Sequence, residues 1–426
     1  MQTTLLGLGL ALIAAILAAF AAPFFIDWNE WRPQLEAQAS GLAGTRVTIS
    51  GNIDLTLLPT PAFVLRDVSL GDAEKGSGIR ANEMRGSLSL TALLSGRVEA
   101  DEFVISRPAI RLVIEKDGKL LLPAGASAGQ EISVSAFVLE AGSLTIEDRR
   151  TNSLFLADDF SARGELVSRE GPFRVDGGFR LNGMRWILRA SSSRFGPDHA
   201  GKVRLALERP ADATSFEAEG TLTLANAAPR FEGRTILAQR SGGLPWRISA
   251  DAAGDAAELR FGNLELVLGQ SELPITLSGE AKLNPRASGA LEISLASKRI
   301  DLDLGSQKAA ANGAAHVLPW IGEARALLSA LPFPTQIAIS ADGILAGGQL
   351  SRDVRANLRV QSGAIAFERL EARLPGRAVI ALTGKTVKGD FSGPLSFETE
   401  EPQLFARWLL GEERAAKLQW TSPSAS

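Results

Sequence analysis

Residues able to act as catalytic acids, bases or nucleophiles are scarce in this sequence. Its 426 residues include two histidines, His199 and His316, and no cysteine or tyrosine. Histidine, tyrosine, cysteine and lysine supply most general acids and bases, and thiolates are common structural zinc ligands. The two histidines lie far apart and have no spacing typical of a metal pair. We expect His199 to be a solvated loop residue and His316 to be packed, and we expect no enzyme activity, no metal and no cofactor.

One short motif resembles part of a phosphate-binding loop. Gly384-Lys385-Thr386 matches the end of that pattern, but the glycine required five positions earlier is replaced by Val379. We interpret the motif as a hairpin turn. The adjacent carboxylates Asp158-Asp159 and Glu400-Glu401 do not form acid–base dyads if they lie in strands, because neighbouring strand residues point to opposite faces.

The overall charge gives no indication of a nucleic-acid partner. The chain has 45 Lys and Arg against 48 Asp and Glu, a net charge of −3 and a pI near 5.7. Nucleic-acid-binding proteins normally carry a basic excess or a basic stripe. Hydrophobic residues make up 45% of the chain, as in ordinary globular proteins, and at about 150 residues per domain the length corresponds to roughly three domains.

Alternation of apolar and polar residues indicates that most of the chain is β-structure. Val47, Ile49, Ile53, Leu55 and Leu57 alternate with polar residues, which predicts one extended strand with a dry face and a wet face. Similar alternating segments recur along the chain as far as the C-terminal region. Glycines within them favour bulges and bends. Helical patterns are few and short, at 90–94, 319–331 and 403–410. The dry faces can therefore be buried in a sandwich, a closed barrel or a trough, and this pattern does not distinguish these three.

Residues 27–44 read as one amphipathic helix that precedes the first strand. Its apolar positions are three and four residues apart, Asp27 can cap its start, and Pro33 either kinks it or marks a start one turn later. We treat 45–426 as one body, with alanine- and glycine-rich loops near 122–130 and 305–318 as its candidate seams. The apolar positions of the helix are Trp28, Trp31, Leu35, Ala39 and Leu42.

The first 26 residues predict a membrane anchor. No charged side chain precedes Asp27, and about 22 apolar residues form roughly 33 Å of helix, enough to cross a bilayer core of about 30 Å. Trp28 and Trp31 follow at the expected position of an interfacial aromatic belt. The alternative is a cleaved signal peptide with Ala19-Phe20-Ala21 as its cleavage site. In both cases the body lies outside the cytosol, and we expect the N-terminus in the cytoplasm.

Several N-terminal motifs resemble the AsmA family. The resemblance covers the N-terminal part of the family, whose members usually continue into a long C-terminal region, so we expect a fragment or a short relative. The matching residues are Phe25–Pro33, Ile49–Ile53, Leu57–Pro61, Ser87–Gly96, Arg107-Pro108, Asp117-Gly118, Leu374–Gly376 and Gly384.

The resemblance implies an envelope protein of Gram-negative bacteria, anchored in the inner membrane, with its body in the periplasm. It implies an elongated, curved antiparallel sheet whose open apolar groove holds lipid, with an N-terminal transmembrane helix and a few short helices. The implied partners are phospholipids and the inner membrane, and the implied role is lipid transport between the inner and outer membranes. The alternative is a non-enzymatic assembly factor or scaffold for outer-membrane proteins, whose partners are other envelope proteins. We predict that Val47, Ile49, Ile53, Leu55 and Leu57 line the lipid groove and that Trp28 and Trp31 lie at the membrane interface.

Overall fold

The computed structural model of the chain forms two compact units, residues 1–225 (unit 1) and 226–426 (unit 2). The boundary lies at Ala225/Asn226, a position that the sequence pattern does not single out. The structure describes residues 27–418, with gaps at 57–59, 72–75, 90, 93–94, 96–98, 117–119, 122–132, 150–152, 167, 169, 225–228, 242–244, 256, 270–273, 285–288, 304–312, 318–320, 323, 326–327, 329–333, 362 and 388–389.

Unit 1 begins with a 3₁₀ turn, Trp28–Trp31, and helix α1, Arg32–Ala43. Thirteen strands follow, most of them joined to their sequence neighbours as antiparallel hairpins. They are β1 (Val47–Ile49), β2 (Ile53–Thr56), β3 (Ala62–Gly71), β4 (Gly78–Leu88), β5 (Glu99–Ser106), β6 (Ala109–Ile114), β7 (Leu120–Leu121), β8 (Ser133–Asp148), β9 (Ser153–Leu166), β10 (Phe173–Leu181), β11 (Met184–Ser192), β12 (Ala200–Arg209) and β13 (Thr214–Thr223).

The described part of unit 2 includes eleven strands, a 3₁₀ turn at Ala314–Val317 and two helices near the C-terminus, α2 (Pro402–Leu410) and α3 (Glu412–Ala415). The helix predicted over 403–410 is therefore confirmed by α2. The strands are β14 (Arg230–Gln239), β15 (Trp246–Asp255), β16 (Leu259–Leu268), β17 (Ile275–Asn284), β18 (Ala290–Asp301), β19 (Thr335–Ala346), β20 (Gln349–Gln361), β21 (Ala364–Leu374), β22 (Ala378–Val387), β23 (Asp390–Ser392) and β24 (Leu395–Glu398).

The predicted mainly-β class is confirmed, with 67% strand, but the strand pairing is mixed and not purely antiparallel. In unit 1, β8 runs parallel to both β5 and β6. In unit 2, β18 and β19 are parallel. A parallel pair needs a long crossover connection, and the crossovers before β8 and β19 contain the loops near 122–130 and 305–318 that the sequence marks as seams. Whether those loops are domain seams stays a prediction.

The N-terminal helix forms close to its predicted limits. Asp27 caps the 3₁₀ turn, since its Oδ1 accepts a 3.0 Å hydrogen bond from the Asn29 N–H. Pro33 lies in the first turn of α1, where a proline costs no helical hydrogen bond, so the start one turn later is the correct alternative. Trp28 packs on the core, whereas Trp31 is 54% exposed.

The single strand predicted over Val47–Leu57 is wrong, because the segment forms the two strands β1 and β2. Between them the Gly51 N–H donates to the Arg66 carbonyl at 3.0 Å, and an ideal Cβ on Gly51 would lie 2.7 Å from that oxygen. Asp67, next to this contact, has φ 51°. Both strands still pair with β3, so the interruption is a local irregularity that only a residue without a side chain can accommodate.

Two polar side chains of α1 bind the β1 backbone edge that points away from β3. Glu36 Oε1 accepts a 2.6 Å hydrogen bond from the Ile49 N–H, and Ser40 Oγ accepts one of 2.8 Å from the Val47 N–H. An edge strand otherwise presents such groups to other chains. The helix therefore completes the hydrogen bonding of β1 without a further strand.

Two further polar side chains of the helical region bind the backbone near β2. Together with Glu36 and Ser40 they form what we call the polar stripe. Asn29 Oδ1 accepts a 3.3 Å hydrogen bond from the Ile53 N–H, and the Arg32 guanidinium donates a 2.9 Å hydrogen bond to the Gly51 carbonyl. The spacing of apolar residues predicts only the apolar face of the helix and does not predict this polar stripe.

Two further sequence predictions have other outcomes: one lies outside the described residues and one is wrong. The anchor predicted at 1–26 lies outside the described residues, and among those that are described no helix is both long and apolar enough to span a bilayer. The hairpin turn predicted at Gly384–Thr386 is wrong, because these residues lie inside β22 and Thr386 pairs with Ile365 of β21.

The hydrogen bond between Glu36 and the Ile49 N–H gives a testable prediction. Glu36→Ala leaves the Ile49 N–H without an acceptor, and an unsatisfied buried donor costs about 1–3 kcal/mol. We expect amide exchange in β1 to accelerate about tenfold or more, measured by hydrogen–deuterium exchange on the full chain in nanodiscs. Glu36→Gln keeps an acceptor oxygen and should exchange much as the parent does. Equal protection in all three proteins would contradict the assignment.

Candidate functional site

One cross-strand row of unit 1 consists entirely of apolar residues and glycine. Residues that face each other directly in adjacent strands share one face of a sheet, so the pairing register identifies the row without reference to side-chain contacts. It crosses ten strands. Its members, in spatial order, are Ile53, Leu65, Met84, Ile105, Leu139, Ala162, Gly177, Leu188, Leu207 and Phe216.

A second row lies two residues along each strand, on the same face. It too lacks any polar side chain. Together the two rows make a strip that we call the apolar face of unit 1, and ten strands at about 4.8 Å spacing span roughly 43 Å. The members of the second row are Leu55, Phe63, Gly86, Phe103, Phe137, Gly164, Val175, Ala190, Leu205 and Ala218.

The residues between these two rows point to the other face, which is polar over much of its length. That face includes Arg163, Asp176, Arg189 and Glu217, all exposed. Because strand side chains alternate between faces, unit 1 has one dry side and one charged side. The one-sided pattern predicted from the sequence is thus present across the sheet.

The predicted groove residues begin this face, but most of them are covered. Val47, Ile49 and Ile53 are 6%, 1% and 2% exposed and form one core cluster, against which Trp28, Leu35 and Ala39 of the helical region pack. Leu55 packs against the same cluster, and Leu57 lies outside the described residues. Their contact with lipid stays a prediction. In this structure it would require the helix to move, so the accessible part of the face lies farther along the rows.

The accessible part runs from β8 to β13. Leu188, Leu207 and Phe216 are only half-buried there, and within the described residues the core contacts of the N-terminal helix are with the first strands alone. A row of half-buried apolar side chains on an uncovered sheet is energetically costly in water. This segment of the face therefore exposes more apolar surface to solvent than the covered first strands do.

Two glycines of the apolar face leave space for aromatic rings of the neighbouring strands. An ideal Cβ on Gly86 would lie 2.6 Å from Phe63 Cζ, and one on Gly164 would lie 2.5 Å from Phe137 Cζ. The rings therefore lie over the neighbouring glycine backbone. The sequence-based interpretation of strand glycines as bends misses this packing role, which keeps the face smooth and apolar.

A charged cluster borders the apolar face at the β12–β13 hairpin. The Arg209 guanidinium lies 5.1 Å from the Trp186 ring centroid and forms an ion pair with Asp212, with a 2.8 Å hydrogen bond from Nε to Asp212 Oδ1. Thr214 donates to the same carboxylate at 2.8 Å. Hydrogen bonds from Arg209 and Thr214, together with the charge of Arg209, lower the pKa of Asp212 to about 2. Asp212 thus balances the charge of Arg209 while the Arg209 guanidinium stacks on the Trp186 ring.

Unit 2 has an apolar row of the same kind. It crosses eight strands, and residues of the β18–β19 crossover, including Leu328, together with Phe405 and Trp408 of α2, cover neighbouring parts of that face. Its members are Leu264, Gly279, Leu295, Ile339, Ala356, Leu370, Leu382 and Leu395.

The two histidines have different environments. His199 is exposed in a turn with φ 56°, as predicted. His316 is packed, also as predicted, with Nδ1 2.7 Å from the Gly313 carbonyl and Nε2 3.2 Å from Asp303 Oδ1. Among the residues that the structure describes, no cluster of three or more His, Cys, Asp or Glu side chains could hold a metal ion.

Asp303 is a buried carboxylate that the sequence analysis did not identify. Its two oxygens accept 2.8 Å hydrogen bonds from the Gly347 and Gly348 N–H groups. Both glycines have positive φ and form the β19–β20 turn. Asp303 thus ties the crossover to this turn, which is a structural role.

The Arg209–Asp212 pair predicts a specific pH dependence. Because the folded pKa of Asp212 is below the unfolded value of about 3.9, the pair stabilises the fold above that value and loses its effect as pH falls from about 4 to 2. Asp212→Asn should lower the free energy of unfolding by about 2 kcal/mol at pH 7 and by much less near pH 2, as measured by urea titration.

The matched control for this prediction is Asp176→Asn, at an exposed position of the charged face. It should change stability little at either pH. An Asp212→Asn effect of the same size at both pH values would contradict the ion-pair assignment.

Comparison with known proteins identifies the N-terminal region. The AsmA family model matches residues 1–148, which end with β8. No curated protein and no solved structure matches the chain. The matched segment includes the helix, the covered strands and the first five positions of both apolar rows. Residues 1–148 are therefore similar to the AsmA family, as the N-terminal motifs predict.

Proposed function

We propose that this chain is an inner-membrane-anchored periplasmic protein that binds phospholipid acyl chains on the apolar face of unit 1 and supports lipid transport between the inner and outer membranes. The observation that carries the proposal is the pair of uninterrupted apolar rows across ten strands. AsmA family membership of residues 1–148 is consistent with a lipid-transfer or envelope role. The apolar N-terminal segment supports the membrane anchor.

The dimensions of the face suit acyl chains. Each leaflet contributes about half of a hydrocarbon core of roughly 30 Å, so one acyl chain spans about 15 Å in a bilayer. The accessible segment from β8 to β13 crosses six strands, about 24 Å. A chain lying along the rows would contact apolar side chains over its whole length and exclude water from them.

The direction of the rows supports passage as well as binding. The rows run perpendicular to the strands, so a ligand moving along them meets a succession of similar apolar side chains and glycines. Similar sites at successive strands give similar binding free energies, which keeps any one position from trapping the ligand. Polar headgroups would stay at the rim, where charged residues such as Arg209 lie.

The helical region has its own role in this proposal. Trp31, exposed at 54%, is suited to the headgroup region of the inner membrane. α1 covers the first positions of both rows, so lipid would enter the face beyond α1 or after α1 shifts.

The proposal predicts that a charge in the accessible row removes bound lipid. Leu188→Asp places a carboxylate in the middle of the first row, and an unpaired charge in an apolar contact costs several kcal/mol. We expect at least a tenfold loss of phospholipid that co-purifies with the full chain, measured by extraction and mass spectrometry.

The matched control is Ile187→Asp, since Ile187 is the adjacent residue of β11 and points to the opposite face. This variant should retain its lipid, and circular dichroism should show the same strand content in both proteins. Absence of phospholipid from the parent protein, or equal lipid in the two variants, would reject the proposal. Co-purification of an envelope polypeptide without lipid would favour the assembly-factor alternative.

A further inference from the structure

The last strand of unit 2, β24, has an apolar and exposed edge. Leu395 and Phe397 are 59% and 41% exposed, and every residue of the strand is exposed. β24 pairs with β22, with Leu382 opposite Leu395 and Ile380 opposite Phe397. Among the described residues, β22 is the one strand with which β24 has a pairing register.

The register fixes which backbone groups of β24 face outward. The Thr383 N–H donates to the Pro394 carbonyl at 3.2 Å, so this opposed pair is a hydrogen-bonded one. Hydrogen-bonded and non-hydrogen-bonded pairs alternate along an antiparallel ladder. Ser396 is therefore bonded to β22, whereas the N–H and C=O groups of Leu395 and Phe397 point away from it.

In unit 1, the first strands β1 and β2 show one way in which an edge is closed. There the α1 side chains bind the outward backbone groups, as for Glu36 and Ile49. Exposed edges without such protection are templates for another strand. At β24 the nearest helix contributes Phe405, whose ring centroid is 4.7 Å from that of Phe397, but Leu395 stays exposed.

The outward groups of β24 are complementary to themselves. In an antiparallel pair of β24 strands with the two-fold axis at Ser396, Leu395 of each copy lies opposite Phe397 of the other. Each such pair exchanges two N–H···O=C bonds, which gives four in all. Glu398 then lies opposite Pro394, so no like charges face each other.

We propose that two copies of this chain associate through antiparallel pairing of their β24 edges about Ser396. The pairing satisfies the outward backbone groups and buries Leu395 and Phe397 against each other. Leu395 is also the last member of the unit 2 apolar row, so pairing would place apolar residues of the second copy directly next to that row. This inference is independent of lipid binding.

A single cysteine tests the pairing, because the chain contains none. Ser396→Cys places two thiols on the two-fold axis in a non-hydrogen-bonded pair, with Cα atoms about 4.5 Å apart, which is within the range for a disulfide. Mild oxidation of the full chain in nanodiscs should give a disulfide-linked dimer on a non-reducing gel. Ser294→Cys, exposed in β18 of the same unit, should stay monomeric.

A second substitution separates pairing from random collision. Leu395→Lys adds a charge to the edge without removing a bond to β22, and edge lysines block strand pairing. In the Ser396→Cys background it should reduce disulfide formation at least fivefold. A monomeric Ser396→Cys protein, or equal crosslinking with and without Leu395→Lys, would overturn the proposal. Occupation of the edge by residues 419–426 of the same chain would appear as the monomeric result.

Discussion

The alternation of side chains along each strand is the constraint on which the rest of this structure depends. A slip of one residue in any strand would move its apolar side chains to the charged face. In unit 1 the register is kept through ten strands, from Ile53 to Phe216, even where β8 and β9 have irregular pairing. Residues with positive φ, such as Ala141 and Asp159, absorb those irregularities. The apolar face exists because the register is conserved across them.

The two units cover parts of their apolar surface by different means. At β1 and β2, helix α1 covers the apolar side chains and its polar stripe binds the free backbone edge. In unit 2, Trp408 of α2 packs on Ala346, and its Nε1 donates a 2.7 Å hydrogen bond to the Ala346 carbonyl. Among the described residues, the segment from β8 to β13 and Leu395 of β24 have no such cover. Binding is therefore expected where the fold itself leaves apolar surface.

Much of the fold follows from local pattern, but the apolar face of unit 1 does not. Alternation predicted the strands, and residues such as Asp27 and Pro33 predicted the start of the helical region. The predicted site was confined to 47–57, since alternation identifies dry residues in each strand but not which strands are adjacent or which a helix covers. Trp186, Leu188 and Ala190 have the same two-residue spacing, with Ile187 and Arg189 between them. Only the pairing register joins them to Ile53. The parallel strands and the Asp303 contact depend on long-range packing, which local pattern does not specify.

Site-specific photocrosslinking along one row tests the central claim most directly. A photoreactive phenylalanine analogue placed singly at Leu188, Leu207 and Phe216 would report on the first apolar row, and at Arg189, Ala206 and Glu217 on the opposite face of the same strands. Irradiation of Gram-negative cells expressing the full chain and labelled with radioactive phosphate should then link phospholipid to the first three positions and not to the second three. Equal labelling of both faces, or labelling of neither, would contradict the account.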